Sequence, residues 1–145
     1  MSGTAGTAKD GAPAVHVRAD VLADIVAHAQ AEWPNECCGL LIGRAGAIER
    51  SHRARNELHS PTRYRVSPED HFAAVRAARA LGLDVVGAYH SHPSSDPIPS
   101  ASDLAEAVPG EFLHLIAGPG SAATGVRGWR LAGGNFVPVT LVTLS

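Results

Sequence analysis

One hundred and forty-five residues suit a single domain with one core, and that length leaves no room for a two-domain cofactor enzyme. Hydrophobic residues make up 45% and charged residues 18%, which argues against wholesale disorder, and a net charge of -2 with both signs scattered leaves no basic stripe for nucleic acid. No apolar run reaches the ~20 residues of a membrane span, the first fourteen residues lack a signal-peptide centre, and the adjacent Cys37 and Cys38 cannot easily close a disulfide, so the expected compartment is the cytoplasm.

Residues 1–14 are small and polar without a hydrophobic period, and they read as a flexible leader to a domain spanning 15–145. From Asp20 onward, Val21, Leu22, Ile25, Val26 and Ala29 recur at helical spacing; Pro34 biases Trp33 out of the helical region, so the helix is predicted to end there. CGLLIG (38–43) is a short apolar strand, and the Ala45-Gly46 turn leads into a more polar strand from Ala47, a predicted hairpin. Residues 56–62 read as a loop and Arg63 to Val66 as a short strand. Ser67 is placed as the cap of a helix that opens with Pro68, Glu69 and Asp70, runs to about Leu81 and closes at Gly82. DVVGAYH (84–90) reads as a buried strand, followed by a loop rich in serine and proline and a short helix from about Ala101. Strands are predicted at 112–118, 125–131 and 136–142, the last two joined by an Ala132-Gly133-Gly134-Asn135 turn. The fold class is α/β, a single domain with a mixed sheet flanked by helices.

Eight histidines are the unusual count. His90 and His92 are two apart at the end of a strand, so an extended chain turns both imidazoles to one side, roughly 7 Å apart at the backbone. Asp103 follows in the first turn of the short helix, where the intervening loop can return a carboxylate to the same point. Two imidazoles and one carboxylate leave the fourth position of a tetrahedral zinc open, the arrangement of a catalytic site. From spacing alone a His-x-His pair is more often surface decoration than a ligand pair, and Ser100-x-x-Asp103 also fits a plain capping motif.

HSHPSSDPIPSASD (90–103) resembles the signature of the JAMM, or MPN-plus, metalloproteases: two histidines one residue apart, seven residues opening with proline, serine, two residues, aspartate. PNECCGLLIG (34–43) is similar to the family segment that carries a catalytic glutamate, and the resemblance extends over about residues 15–143. It implies a deaminase-like α/β fold and one Zn2+ per chain on His90, His92 and Asp103. It further implies Glu36 as general acid/base and Ser100 as hydrogen-bond donor to the tetrahedral intermediate. The chemistry is coherent, because zinc lowers the pKa of its water to ~7 and a carboxylate can then take the proton.

The implied substrate is a ubiquitin-like or sulphur-carrier protein, cut at the amide bond that follows its C-terminal Gly-Gly tail. The chain has no long insertion around the motif, which points to the compact prokaryotic type. A zinc amide hydrolase acting on a small molecule and a non-catalytic MPN scaffold stand as alternatives. Nucleoside deamination needs His-x-Glu and Pro-Cys-x-x-Cys, which the chain lacks. Asp96, inside the loop, receives no role from the resemblance. His114 reads as structural, and His16, His28, His52, His59 and His71 have no partners at a recognisable spacing. Alternation puts Cys37 and Cys38 on opposite faces, one in the core and the other towards the site.

Overall fold

Cys38, Leu40 and Ile42 point to one side of their strand and Cys37 and Leu41 to the other, and all five are buried, so the strand needs cover on both faces. The structure is a computed structural model that describes residues 13–106, 112–119 and 125–145. Its elements are β1 (Val15–Arg18), α1 (Ala19–Glu32), β2 (Cys38–Arg44), β3 (Ala47–Ala54), α2 (Pro68–Ala80), β4 (Asp84–Ser91), α3 (Ala101–Glu106), β5 (Leu113–Ala117), β6 (Val126–Ala132), β7 (Asn135–Val139) and β8 (Leu141–Leu144). The strands form one mixed sheet in the order β7-β6-β5-β4-β2-β3-β1-β8, with β4–β5, β1–β3 and β1–β8 parallel and the other pairs antiparallel.

Helix α1 supplies Val21, Leu22, Ile25 and Val26 to the larger core, where they meet Val15, Val17, Leu41, Tyr89, Leu113 and Leu115. Helix α2 covers the other face more lightly: Ala74 packs with Cys38, Leu40 and Ala88, and Ala78 with Ile42 and Leu83. Burying the large aliphatic side chains of the α1 face is worth about 1.5–3 kcal/mol each. Among the described residues no helix is long and apolar enough to cross a membrane.

The predicted mixed sheet with flanking helices is the fold observed, and both long helices end where expected. Gly82 takes φ +68 just past α2, a conformation that favours glycine at a helix end. Several expectations are corrected. Val15–Arg18 is a strand, paired on both sides, that local pattern did not mark. The strand expected at Arg63 to Val66 shrinks to an isolated bridge between Asn56 and Val66, because the Asn56 side chain takes the carbonyl of Arg63 and the N–H of Arg65. Ser67 makes no side-chain cap; its hydroxyl accepts from Arg55, whose guanidinium also pairs with Asp70. The single strand expected at 136–142 is two, β7 and β8, on opposite edges of the sheet. The leader expected at 1–14 lies outside the described residues except for Pro13 and Ala14, and Ala14 is buried.

Candidate functional site

Strand β4 is buried from Gly87 to its end, and its alternation sends Tyr89 into the α1 core while Ala88 faces α2. His90 lies in register with Cys38 of β2 on one side and with Ile116 of β5 on the other, so its backbone is held by two neighbouring strands. The His92 N–H donates to the Ala117 carbonyl at 2.8 Å, which extends the line of β4 by one residue and keeps the second imidazole beside the first. The loop from Pro93 then returns the chain to α3. There Ser100 Oγ accepts from the Asp103 N–H at 3.1 Å, and Asp103 Oδ2 accepts from the Ser100 N–H at 2.9 Å, a reciprocal box across the helix start.

The same Asp103 Oδ2 is 3.2 Å from His90 Nε2 and 3.0 Å from His92 Nε2, and the two Nε2 atoms are 3.2 Å apart. All three residues are buried. Ligand atoms ~2.0–2.1 Å from a tetrahedral zinc stand roughly 3.3 Å from each other, so the triangle has the size of one face of a zinc tetrahedron. Its protonation chemistry also fits a cation. His92 Nδ1 is 2.7 Å from the Asp96 carbonyl, which can only accept, so Nδ1 carries the proton and Nε2 of the neutral ring presents a lone pair. That lone pair faces a carboxylate oxygen. Two acceptors facing each other in a buried space repel unless a proton or a metal ion sits between them, and His90 Nε2, whose Nδ1 has no partner among the described residues, stands beside both as a third possible ligand.

Charges are shifted accordingly. Burial pushes the Asp103 carboxyl up, and its close contacts with both imidazoles, together with the Ser100 N–H, outweigh it, leaving the group far below the usual carboxylate range. Burial lowers His90. It also acts to lower His92, but the bonds to Asp103 and to the Asp96 carbonyl prevail and raise it.

Glu36 lies just before β2. It is 3% exposed, and its Oε1 is buried without a hydrogen-bond partner among the described residues. Burial raises its carboxyl to about 8; the Asp103 charge adds to the rise and His92 opposes it, which places Glu36 within electrostatic reach of the histidine and aspartate. Its backbone is tied down at both ends, since its N–H donates to Ser60 and Asn56 Nδ2 donates to its carbonyl. Asn56 uses all its capacity here, bonding Glu36, Leu58, Arg63 and Arg65.

The five positions singled out in the sequence thus fall in one region. His90, His92 and Asp103 are brought together, Glu36 is buried within reach, and Ser100 is exposed with its lone pair engaged in the helix cap. Asp96 enters through its backbone carbonyl. Cys38 lies on the His90 side, but its thiol points to the carbonyls of Ala54 and Arg55, while Cys37 is in the α1 core; burial raises the thiols to about 12 and about 11 respectively, so neither is a ready nucleophile. His114 is buried against Phe112 and Phe136. Sequence reasoning missed Asn56, Tyr64, which stacks on His90 at 4.3 Å, and the His28–Tyr89 hydrogen bond of 2.7 Å. A lone asparagine or tyrosine in a polar loop carries no local signal of such a role. A groove of about 350 Å³ beside His92, lined by Val26, Ala29, Trp33, Pro93 and Pro119, opens towards solvent.

A family described as prokaryotic homologs of the JAB domain matches residues 18–132. The chain belongs to this prokaryotic JAB family. It is 35% identical over 113 residues to a desampylase of Haloferax volcanii, covering 73% of this chain and 81% of the relative. With a CysO-cysteine peptidase of Mycobacterium tuberculosis it shares 31% identity over 131 residues, 87% of this chain and 90% of the relative. A protein of Desulfitobacterium hafniense superposes with a TM-score of 0.79 at 25% identity, covering 90% of this chain and 92% of the other. The JAMM signature at 90–103 therefore stands in a chain of the matching family and fold, whose named relatives are peptidases, and the chain is a JAMM-type peptidase.

Proposed function

We propose that this prokaryotic JAB chain hydrolyses the amide bond that follows the C-terminal Gly-Gly tail of a ubiquitin-like or sulphur-carrier protein, with His90, His92 and Asp103 holding one zinc ion. The observation that carries the proposal is the convergence of three buried possible ligand atoms in a region that also holds a buried glutamate oxygen without a partner among the described residues. Relatives that are a desampylase and a CysO-cysteine peptidase support the substrate class. In this reading 15–145 is the catalytic domain, 1–14 a leader and the cytoplasm its compartment, in keeping with two free thiols.

His90, His92 and Asp103 would hold the zinc, which when bound would act as a Lewis acid, lowering the pKa of water to ~7. Glu36 handles the proton. Its buried Oε1 can accept from the attacking water and return the proton to the leaving amine; burial raises the metal-free carboxyl to about 8, and a cation on the neighbouring ligands would favour the ionised form that accepts. Ser100 Oγ accepts from the Asp103 N–H and lies 3.1 Å from Ser102 Oγ, so with Ser102 as donor of that pair it keeps a proton to give to the developing oxyanion.

The test is zinc content of protein purified without chelator, followed by cleavage of a Gly-Gly-tailed carrier extended at its C-terminus. Wild type should hold one zinc per chain and Asp103→Ala clearly less. Glu36→Gln should keep the zinc and lose about 10²–10⁴-fold in turnover. A metal-free wild type that stays empty after zinc is added back overturns the metal reading. Wild-type turnover by Glu36→Gln overturns the role given to that residue.

A further inference from the structure

Loop 93–100 holds the carbonyl that determines which nitrogen of His92 faces Asp103. The Asp96 carbonyl accepts from His92 Nδ1 at 2.7 Å and from the Ile98 N–H at 2.8 Å. If that carbonyl turns away, the His92 proton is free to move to Nε2, where it would block a metal. The carbonyl belongs to an exposed residue in a stretch without helix or strand, so something else must hold it.

Two features on neighbouring strands do so. Trp129, on β6, donates its indole N–H to the Pro97 carbonyl at 3.0 Å, one residue beyond Asp96. Gly118, just past β5, lies beneath the Pro97 ring, and a Cβ there would stand 2.8 Å from Pro97 Cδ and 3.2 Å from Cγ. The indole holds the loop down, and the missing side chain lets the proline ring settle. Trp129 touches neither His90, His92 nor Asp103 by any hydrogen bond, and it is 32 residues from Pro97 in sequence.

We propose that Trp129 is a positioning residue of the metal centre. Its indole N–H, with the space left by Gly118, seats loop 93–100 so that the Asp96 carbonyl fixes His92 with Nε2 unprotonated towards the metal. The inference rests on the metal-centre reading above. Removing a partner that orients a metal-ligating histidine typically costs 10–100-fold in metal affinity, so the effect is measurable by titration.

The experiment titrates zinc into the full-length metal-free chain against a chromogenic chelator at fixed pH, with cobalt(II) absorption as a second readout of ligand geometry. Trp129→Phe keeps an aromatic ring and loses only the N–H donor. Gly118→Ala disturbs the same loop from the other strand. Both should bind zinc about 10–100-fold more weakly than wild type and alter the cobalt spectrum. Leu22→Ala, in the α1 core away from the loop, controls for lost stability: it should lower the melting temperature of the metal-free chain and leave zinc affinity within about 2-fold of wild type, since it touches no ligand. If Trp129→Phe and Gly118→Ala both stay within that 2-fold range with an unchanged cobalt spectrum, Trp129 is ordinary packing and the proposal fails. If Leu22→Ala loses affinity as they do, the effect is general destabilisation and the proposal fails as well. Wild type that takes up no zinc overturns the metal-centre reading itself, an outcome distinct from either.

Discussion

At Ser100 and Asp103 one carboxylate both closes the helix cap and faces the two imidazoles. The Asp103 carboxylate accepts from the Ser100 N–H and, with the same Oδ2, faces both imidazoles. Substitution separates the acceptor from the charge. Asn at position 103 keeps an acceptor for the Ser100 N–H but no charge, so Asp103→Asn should weaken zinc binding at least ~10-fold and, because the folded chain favours the ionised carboxylate, should also lower metal-free stability at neutral pH. Chelator competition and urea midpoints measure the pair; equal zinc affinity would show that the charge is not needed. Glu36 carries the pH dependence. Its folded carboxyl titrates at about 8 against an ordinary 4.5, so between those values the folded metal-free chain holds a proton that the unfolded chain has released. The stability this protonation contributes is complete below pH 4.5 and is lost as pH rises through about 8, with a slope of at most ~1.4 kcal/mol per pH unit. His92, also raised, acts in the same direction, so the Glu36 share is the difference between wild type and Glu36→Gln. Urea unfolding at pH 5, 6.5 and 8 should show the variant losing less stability than wild type; parallel curves would refute the burial account.

At the scale of elements, the strand pair β2–β4 carries the site, and a missing side chain determines how closely the two pack. Gly39 is the register partner of Tyr89, and a Cβ at Gly39 would overlap the tyrosine ring. The ring instead fills that space, its hydroxyl meeting His28 Nδ1 of α1 at 2.7 Å in a T-shaped contact. Helix α1 is thereby tied to the strand whose next residue is His90. Gly39→Ala must displace a fully buried tyrosine and should cost about 1–3 kcal/mol or more of stability, read from the urea midpoint. An unchanged midpoint would mean that the ring can move freely, contrary to its packing. Both helix starts also differ from the simplest capping rule. Arg18 and Ser67 offer no side-chain cap, and α2 begins instead with Pro68, Glu69 and Asp70, two acids at the positive end of its dipole.

For the whole molecule, the sheet order puts the consecutive strands β7 and β8 at opposite edges, so the sheet curls until one stretch of chain, interrupted at Thr140, pairs first with β6 and then with β1. Gly128 lies under Leu141 at this crossing, where a Cβ would come within 2.7 Å of Leu141 Cδ2. A metal ion on His90, His92 and Asp103, as proposed above, would add a second tie, between the end of β4 and α3. A ligand that binds only the folded chain stabilises it by about 2.7 kcal/mol at 100 times its Kd, so zinc should raise the melting temperature and a chelator should reverse the rise. Asp103→Asn should respond much less. A wild-type melting temperature indifferent to zinc would count against a site that joins these elements.

The helices, the β2–β3 hairpin and the helix-closing Gly82 were legible in the sequence, because each depends on periodicity or turn chemistry within a short stretch, and the grouping of His90, His92 and Asp103 was legible through the resemblance of 90–103 to the JAMM signature, which spacing alone left open. The placement of β1, the division of 136–142 and the loss of a strand at Arg63 to Val66 were decided by partners elsewhere in the chain: Leu141, Gly128 and the Asn56 side chain. The same holds for the environment of the site. Glu36 is an ordinary loop acid until packing removes its water, Tyr64 is a loop residue until His90 lies under it, and the Asp96 carbonyl orients nothing until Trp129 and Gly118 seat its loop. Local sequence sets which conformations a segment prefers and which donor atoms it carries. Desolvation and pairing of buried polar atoms exist only once distant segments meet, and so the tertiary structure alone decided them.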